Sequence, residues 1–84
     1  MSMVQVKYRG HLALLTGLKE ENLNAANVGD LLKTIGKQFS PEAEKAARSM
    51  LITVNGESIH LLRLFKTSLL TGDIVGFYPI CAGG

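Results

Sequence analysis

The chain carries one cysteine, Cys81, among its 84 residues. A single thiol cannot close an intramolecular disulfide, and such sparing use suits a reducing compartment. No apolar run approaches the roughly 20 residues that a bilayer-spanning helix needs. The opening Met1-Ser2-Met3-Val4-Gln5 turns polar too soon for a secretory signal. Nine lysines and arginines stand against seven acidic residues, a net charge of +2, and they are scattered from Lys7 to Lys66 without a run. That distribution offers no stripe for a phosphate backbone. A cytoplasmic protein is expected, with neither nucleic acid nor membrane as partner.

Catalytic and metal-binding patterns are missing too. His11, His60 and Cys81 have no metal-ligand spacing, and each histidine is expected on the surface of a strand. No serine or cysteine has a histidine and a carboxylate close to it in sequence. No glycine-rich phosphate loop precedes a helix, because Gly29 and Gly36 fall inside one. Cys81 reads either as an exposed redox thiol or, more simply, as a small apolar residue on an extended tail. The chain is expected to bind no metal or cofactor and to catalyse nothing on its own.

What is present is an ordinary globular pattern, with 46% hydrophobic and 19% charged residues, enough for one core. Residues 3–9 alternate, with Val4, Val6 and Tyr8 on one face and Gln5, Lys7 and Arg9 on the other, the period of a strand. Gly10 reads as a turn and Leu12 to Leu15 as a second strand ending near Thr16-Gly17, together an antiparallel hairpin. Residues 18–26 lack periodicity and read as a loop. Asn27 then looks like an N-cap with Asp30 in the first turn. Val28, Leu31, Leu32, Ile35 and Phe39 form one apolar helical stripe, with Lys33 and Lys37 outside it. Gly36 should weaken that helix by ~1 kcal/mol. Ser40-Pro41-Glu42 starts a second, short helix whose apolar side is Ala43, Ala46, Ala47 and Met50. Leu51 to Val54 reads as a strand, Asn55-Gly56 as a two-residue hairpin turn, and Glu57 to His60 as the returning strand. Residues 61–70 hold more large apolar side chains than one face can bury, so some must be exposed or meet a partner.

Gly72-Asp73 is a turn signal before a last apolar strand, Ile74 to Tyr78, which Pro79 ends because it has no N–H for a ladder. The remaining Ile80-Cys81-Ala82-Gly83-Gly84 is uncharged. Its two glycines, lacking Cβ atoms, could carry a terminal carboxylate through a channel too narrow for side chains. Hairpin, helix, strands and a final strand lying parallel to the first would make an α+β fold of the β-grasp type. The mixed sheet would pack on one main helix, with a second short helix beside it. The expected organisation is a single domain, residues 1–84, with a flexible diglycine tail from about residue 80.

Gly72-Asp73, Phe77-x-Pro79 and the closing Gly83-Gly84 resemble the end of the ubiquitin-like sulfur carriers, in particular the small subunits of molybdopterin synthase. Chain length, the capped helix and the Asn55-Gly56 hairpin agree, so the likeness spans the chain. The related thiamine-pathway carrier lacks the Phe-x-Pro ending. The resemblance implies that Gly84, with Gly83 giving reach, is the reacting end. An E1-like adenylating enzyme, consuming ATP, would make an acyl-adenylate, and a persulfide donor would convert it to a thiocarboxylate. A molybdopterin synthase large subunit would receive the sulfur. Leu70, Phe77, Tyr78, Pro79, Ile80, Cys81 and Ala82 are the expected partner contacts, with Leu62 and Phe65 as further candidates. Two alternatives use the same residues: a modifier joined through Gly84 to lysines of other proteins, or a plain interaction module with an incidental tail.

Overall fold

The computed structural model describes residues 2–80. Its elements, in chain order, are β1 (Ser2–Tyr8), α1 (Gly10–Thr16), β2 (Glu20–Ala25), α2 (Val28–Gln38), α3 (Pro41–Arg48), β3 (Leu51–Val54), β4 (Glu57–Ser58) and β5 (Ile74–Tyr78). Two short 3₁₀ turns, Ile59–Leu61 and Leu64–Lys66, lie between β4 and β5. The five strands form one sheet in the order β2-β1-β5-β3-β4. β5 is parallel to β1 and antiparallel to β3. This is the β-grasp expected from the sequence, with the final strand in the middle of a mixed sheet.

α2 forms because its start is capped from both directions. Asn27 Oδ1 accepts from the Asp30 N–H at 2.7 Å, and Asp30 Oδ2 accepts from the Ala26 N–H at 3.0 Å. The first bond satisfies a donor that the helix itself leaves unpaired, and the second fastens the chain just ahead of the cap. The stripe then faces the sheet: Val28, Leu31, Leu32 and Ile35 have no exposed surface, and Phe39 lies half-buried at the C-cap. Gly36 has a packing reason, since a Cβ there would lie 3.1 Å from the Cβ of Glu44 on α3. α3 begins as the sequence indicates, with Ser40 Oγ accepting from the Ala43 N–H at 3.0 Å and Pro41 at the first turn.

The second element departs from expectation. Residues 10–16 are a helix, α1, and the strand that pairs with β1 is β2, from the segment read as a loop. A short apolar run cannot by itself separate helix from buried strand. The deciding signal is Gly17, whose φ of 73° ends the helix in the left-handed conformation while its N–H donates to Ala13 O at 2.9 Å. β2 pairs with β1 over six positions, from Ser2↔Ala25 to Lys7↔Glu20. As an edge strand it turns just two apolar side chains inward, Leu23 and Ala25, beside Glu21, and covers its outer face with Glu20, Asn22 and Asn24. Such polarity protects an edge and hides the strand from a hydrophobic reading.

The Asn55-Gly56 turn is as expected, with φ of 53° and 87°, the primed geometry that suits a two-residue hairpin. The returning strand is shorter than expected. Ser58 Oγ accepts from the His60 N–H at 3.2 Å and starts a 3₁₀ turn there instead. Both histidines are exposed, but His11 lies on α1 and His60 in that turn, not on strands. In the segment before β5, Leu69 enters the core, whereas Leu61, Leu62, Leu64, Phe65 and Leu70 stay exposed.

Leu31 is fully buried under the sheet. Leu31→Ala is expected to lower stability by about 2–5 kcal/mol, the range for leucine-to-alanine changes in cores. Chemical denaturation checks this, and an unchanged midpoint would remove Leu31 from the core.

Candidate functional site

β5 is tied down before it starts. Asp73 Oδ1 accepts from Asn55 Nδ2 at 3.0 Å and Asp73 Oδ2 from the Leu70 N–H at 2.8 Å. Asn55 Oδ1 in turn accepts from the Ile74 N–H at 2.9 Å. The Gly72-Asp73 pair is thus a structural corner that aims the strand. From there β5 runs with Gln5↔Ile74 to Tyr8↔Phe77 on one side and Val54↔Val75 to Leu51↔Tyr78 on the other.

The two-residue period of a strand sorts its side chains. Val75 and Phe77 point into the core, and Ile74, Gly76 and Tyr78 point to the opposite, open face. Phe77, expected at a partner surface, is instead fully buried. Its ring stacks on Tyr8 at 6.3 Å and 22°, and Tyr8 meets Phe39 edge-on at 6.1 Å and 87°. Phe77 is a core residue that anchors the strand.

Tyr78 is half-buried because its ring lies back along the strand over Gly76. A Cβ on residue 76 would sit 2.5 Å from Tyr78 Cε2 and 2.7 Å from its hydroxyl oxygen. Cross-strand neighbours extend this face, with Leu51 opposite Tyr78, Lys7 and Thr53 flanking Gly76, and Gln5 opposite Ile74. Met3, Leu51 and Ile74 are each about two-fifths exposed, at 44%, 37% and 39%. Met3, Lys7, Leu51 and Ile74 went unnoticed in the sequence reading, although alternation along each strand places them beside Tyr78.

At the end of the strand Pro79 and Ile80 are exposed, Ile80 at 58%, so Tyr78, Pro79 and Ile80 do come together. Leu70 is exposed but precedes the opposite end of β5, about 13 Å away along a five-residue strand. Leu62 and Phe65 lie in the same remote region, Phe65 beneath the Arg48 guanidinium at 5.5 Å. Leu61 and Leu64, not singled out from sequence, are exposed there as well. Cys81, Ala82, Gly83 and Gly84, with the tail proposed for them, lie outside the described residues.

Beneath the tail exit lies a polar network. Tyr8 Oη donates to Glu21 Oε2 at 2.6 Å, and Gln38 Nε2 donates to Glu21 Oε1 at 2.8 Å. Burial above all, then the hydrogen bond and the charge of Glu21, push the Tyr8 phenol well above its ordinary value. A neutral phenol locked to a carboxylate fastens β1 to β2; it has no poised proton to give. Among the described residues no group of three or more His, Cys, Asp or Glu could hold a metal ion. No described helix is long and apolar enough to cross a membrane. The arrangement is a mixed apolar and polar open face beside the end of β5.

A central C-terminal strand, a capped helix across the sheet and this exit define a ubiquitin-like β-grasp protein. Residues 6–84 match the ThiS family, and the chain belongs to that family of ubiquitin-like sulfur carriers. Among solved structures it is similar to small archaeal modifier protein 1 from Methanosarcina acetivorans, at 26% identity and a TM-score of 0.85, covering 100% of this chain and 98% of that one. It is also similar to a putative molybdopterin converting factor subunit 1 from Pyrococcus furiosus, at 26% identity and a TM-score of 0.71, covering 94% and 98%. The fold alone is shared with a chain of the Amycolatopsis orientalis BexX/CysO complex, at 19% identity and a TM-score of 0.81, covering 96% and 99%. No curated protein matches by sequence.

Because its phenol titrates higher folded than unfolded, Tyr8 contributes stability that is complete below the ordinary tyrosine pKa of about 10 and is lost as pH rises above it. Between pH 9 and 11 the stability of the parent protein should fall more steeply than that of Tyr8→Phe. Parallel slopes in urea titrations would show that the Tyr8–Glu21 pair is not linked to folding.

Proposed function

We propose that the protein is a sulfur carrier for molybdopterin biosynthesis, activated and loaded at Gly84. The observation that carries this reading is the family match, which continues through Gly83-Gly84, joined to a sheet whose central strand ends six residues earlier at Tyr78. The likeness to the Pyrococcus converting-factor subunit favours the molybdopterin pathway over other sulfur transfers.

The chemistry divides between partners. A carboxylate is a poor electrophile because its charge is delocalised. An E1-like adenylating enzyme joins Gly84 to AMP and releases pyrophosphate from ATP. The terminal sulfur of a persulfide donor attacks the acyl carbon and AMP leaves. A thiol then cleaves the resulting acyl disulfide, giving the thiocarboxylate. That sulfur is the nucleophile passed on in the active site of a molybdopterin synthase large subunit. The carrier itself supplies recognition and reach: the open face around Tyr78 docks, Pro79 and Ile80 lead the chain out, and Gly83 keeps the last steps narrow. No cofactor resides on it.

A second reading is favoured by one specific likeness. The Methanosarcina relative is described as a modifier protein, and conjugation of Gly84 to lysines uses the same activation. The adduct separates the two, one sulfur atom in place of oxygen or a whole protein on an isopeptide bond.

Incubation with ATP, the adenylating enzyme and a sulfur source should raise the intact mass by ~16 Da, the exchange of oxygen for sulfur, at the last residue. Deleting Gly84 shortens the reach by ~3.3–3.6 Å, as much as the ~3–3.5 Å spacing of reacting atoms. Gly83→Val keeps the length and adds bulk. Both variants should fold normally and remain unloaded. Normal loading of the truncated chain would overturn the assignment of Gly84. On the open face, Tyr78→Asp should weaken binding to the adenylating enzyme by tenfold or more, as expected when a central aromatic anchor is lost. Unaltered affinity, measured by calorimetry, would exclude this face.

A further inference from the structure

Two rings and two glycines surround the point where the chain leaves the sheet. Tyr78 lies over Gly76 on the open face, as described. On the other side of the exit, Pro79 rests against Gly10, the first residue of α1. A Cβ on residue 10 would fall 2.6 Å from Pro79 Cγ and 3.6 Å from both its Cβ and Cδ. Gly10 also has a φ of +59°, a conformation open to glycine and tolerated by asparagine. Two separate demands therefore meet at one residue, a left-handed backbone and bare space for a ring. Between these contacts Phe77 is held in the core against Tyr8.

We propose that Gly10 is a positioning residue for the reaction at Gly84, acting through Pro79. It is the seat on which the proline ring lies, and the seat sets the direction in which residues 80–84 start out. This inference rests on the carrier reading. Pro79 fixes its own φ near −65°, so a seated ring leaves only its ψ to set the departure of the chain. Gly10 sits 69 positions before Pro79 in sequence, so nothing in the tail motif points to it. The leverage is large. A turn at Pro79 swings whatever follows it, and misplacement by ~1 Å at a reacting centre can cost ~100-fold in rate. The segment after Pro79 absorbs part of such an error, so the expected loss is smaller than that limit.

The test compares Gly10→Ala, Gly10→Asn, Pro79→Ala and both Gly10/Pro79 double variants in the full chain. Gly10→Asn accepts the positive φ and still places a Cβ against the ring, so it isolates the contact if Gly10→Ala folds poorly. Residual dipolar couplings of the Ile80 N–H report the departure direction without any enzyme. They should change in Gly10→Asn, and the same substitution should change them no further once Pro79 is alanine. With the adenylating enzyme, ATP–pyrophosphate exchange should show kcat about tenfold lower for Gly10→Asn, KM within about twofold, and less than twofold additional loss in the Pro79→Ala background. Unchanged Ile80 couplings, or an equal kcat loss in both backgrounds, would overturn the role of the contact. If the parent chain is never adenylated, the carrier reading falls and with it the catalytic consequence, while the couplings still decide whether Gly10 steers the exit.

Discussion

Hydrogen-bonded pairing along both edges of β5 is the constraint on which the rest of the molecule depends. A strand paired on one side can fray or slip. This one is held by β1 and β3 at once, and a slip of a single residue would exchange Val75 and Phe77 for Gly76 and Tyr78 at the core. The aromatic group of Phe77, Tyr8 and Phe39 adds a side-chain lock, linking the last strand to the first and to the end of α2. Both ends of the strand are specified as well. Asp73 and Asn55 fix where it begins, and Pro79, with no N–H to offer, fixes where pairing stops. A rigid platform thereby ends abruptly beside an exposed face.

That arrangement leaves one open face beside the end of β5. Among the described residues there is no metal cluster, and the one strongly perturbed group, Tyr8, is buried and committed to Glu21. What the open face presents is an apolar centre from Met3, Leu51, Ile74 and Tyr78, interleaved with Gln5, Lys7 and Thr53. Sulfur transfer and protein conjugation place the same requirements on such a head. This is why relatives described as a converting-factor subunit and as a modifier protein share its fold.

Those parts of the fold with strong local chemistry were legible in the sequence. Asn27 with Asp30, Ser40 with Pro41, Asn55 with Gly56, and the alternation from Val4 to Tyr8 each gave an element close to its observed bounds. The errors fell where tertiary context decides. Leu12 to Leu15 are equally apolar as helix or strand, and the left-handed Gly17 is a quieter signal than the run itself. In β2 only Leu23 and Ala25 carry the pattern, since an edge strand is polar by necessity. The placement of the expected surface residues was half legible. Tyr78, Pro79 and Ile80 do lie together at the end of β5, but Phe77 was assigned to the surface for its size, although alternation from Tyr78 already places it inside. Leu70 was grouped with them by nearness in sequence, and a strand's length separates the two. Gly10 could not be linked to Pro79 by any local rule.

The open face is a composite, and its parts are far apart along the chain. Lys7 meets Gly76 across 69 positions, and Leu51 meets Tyr78 across 27. Closing loops of that size costs entropy before any contact is gained, so these pairings belong to the late, cooperative stage of folding. In an unfolded or half-folded chain the last residues keep their covalent structure, but the face beside them does not exist. Tyr78, Leu51 and Lys7 stand side by side only once these pairings have formed. The topology thus makes the open face a property of the finished fold, absent from any shorter stretch of the chain.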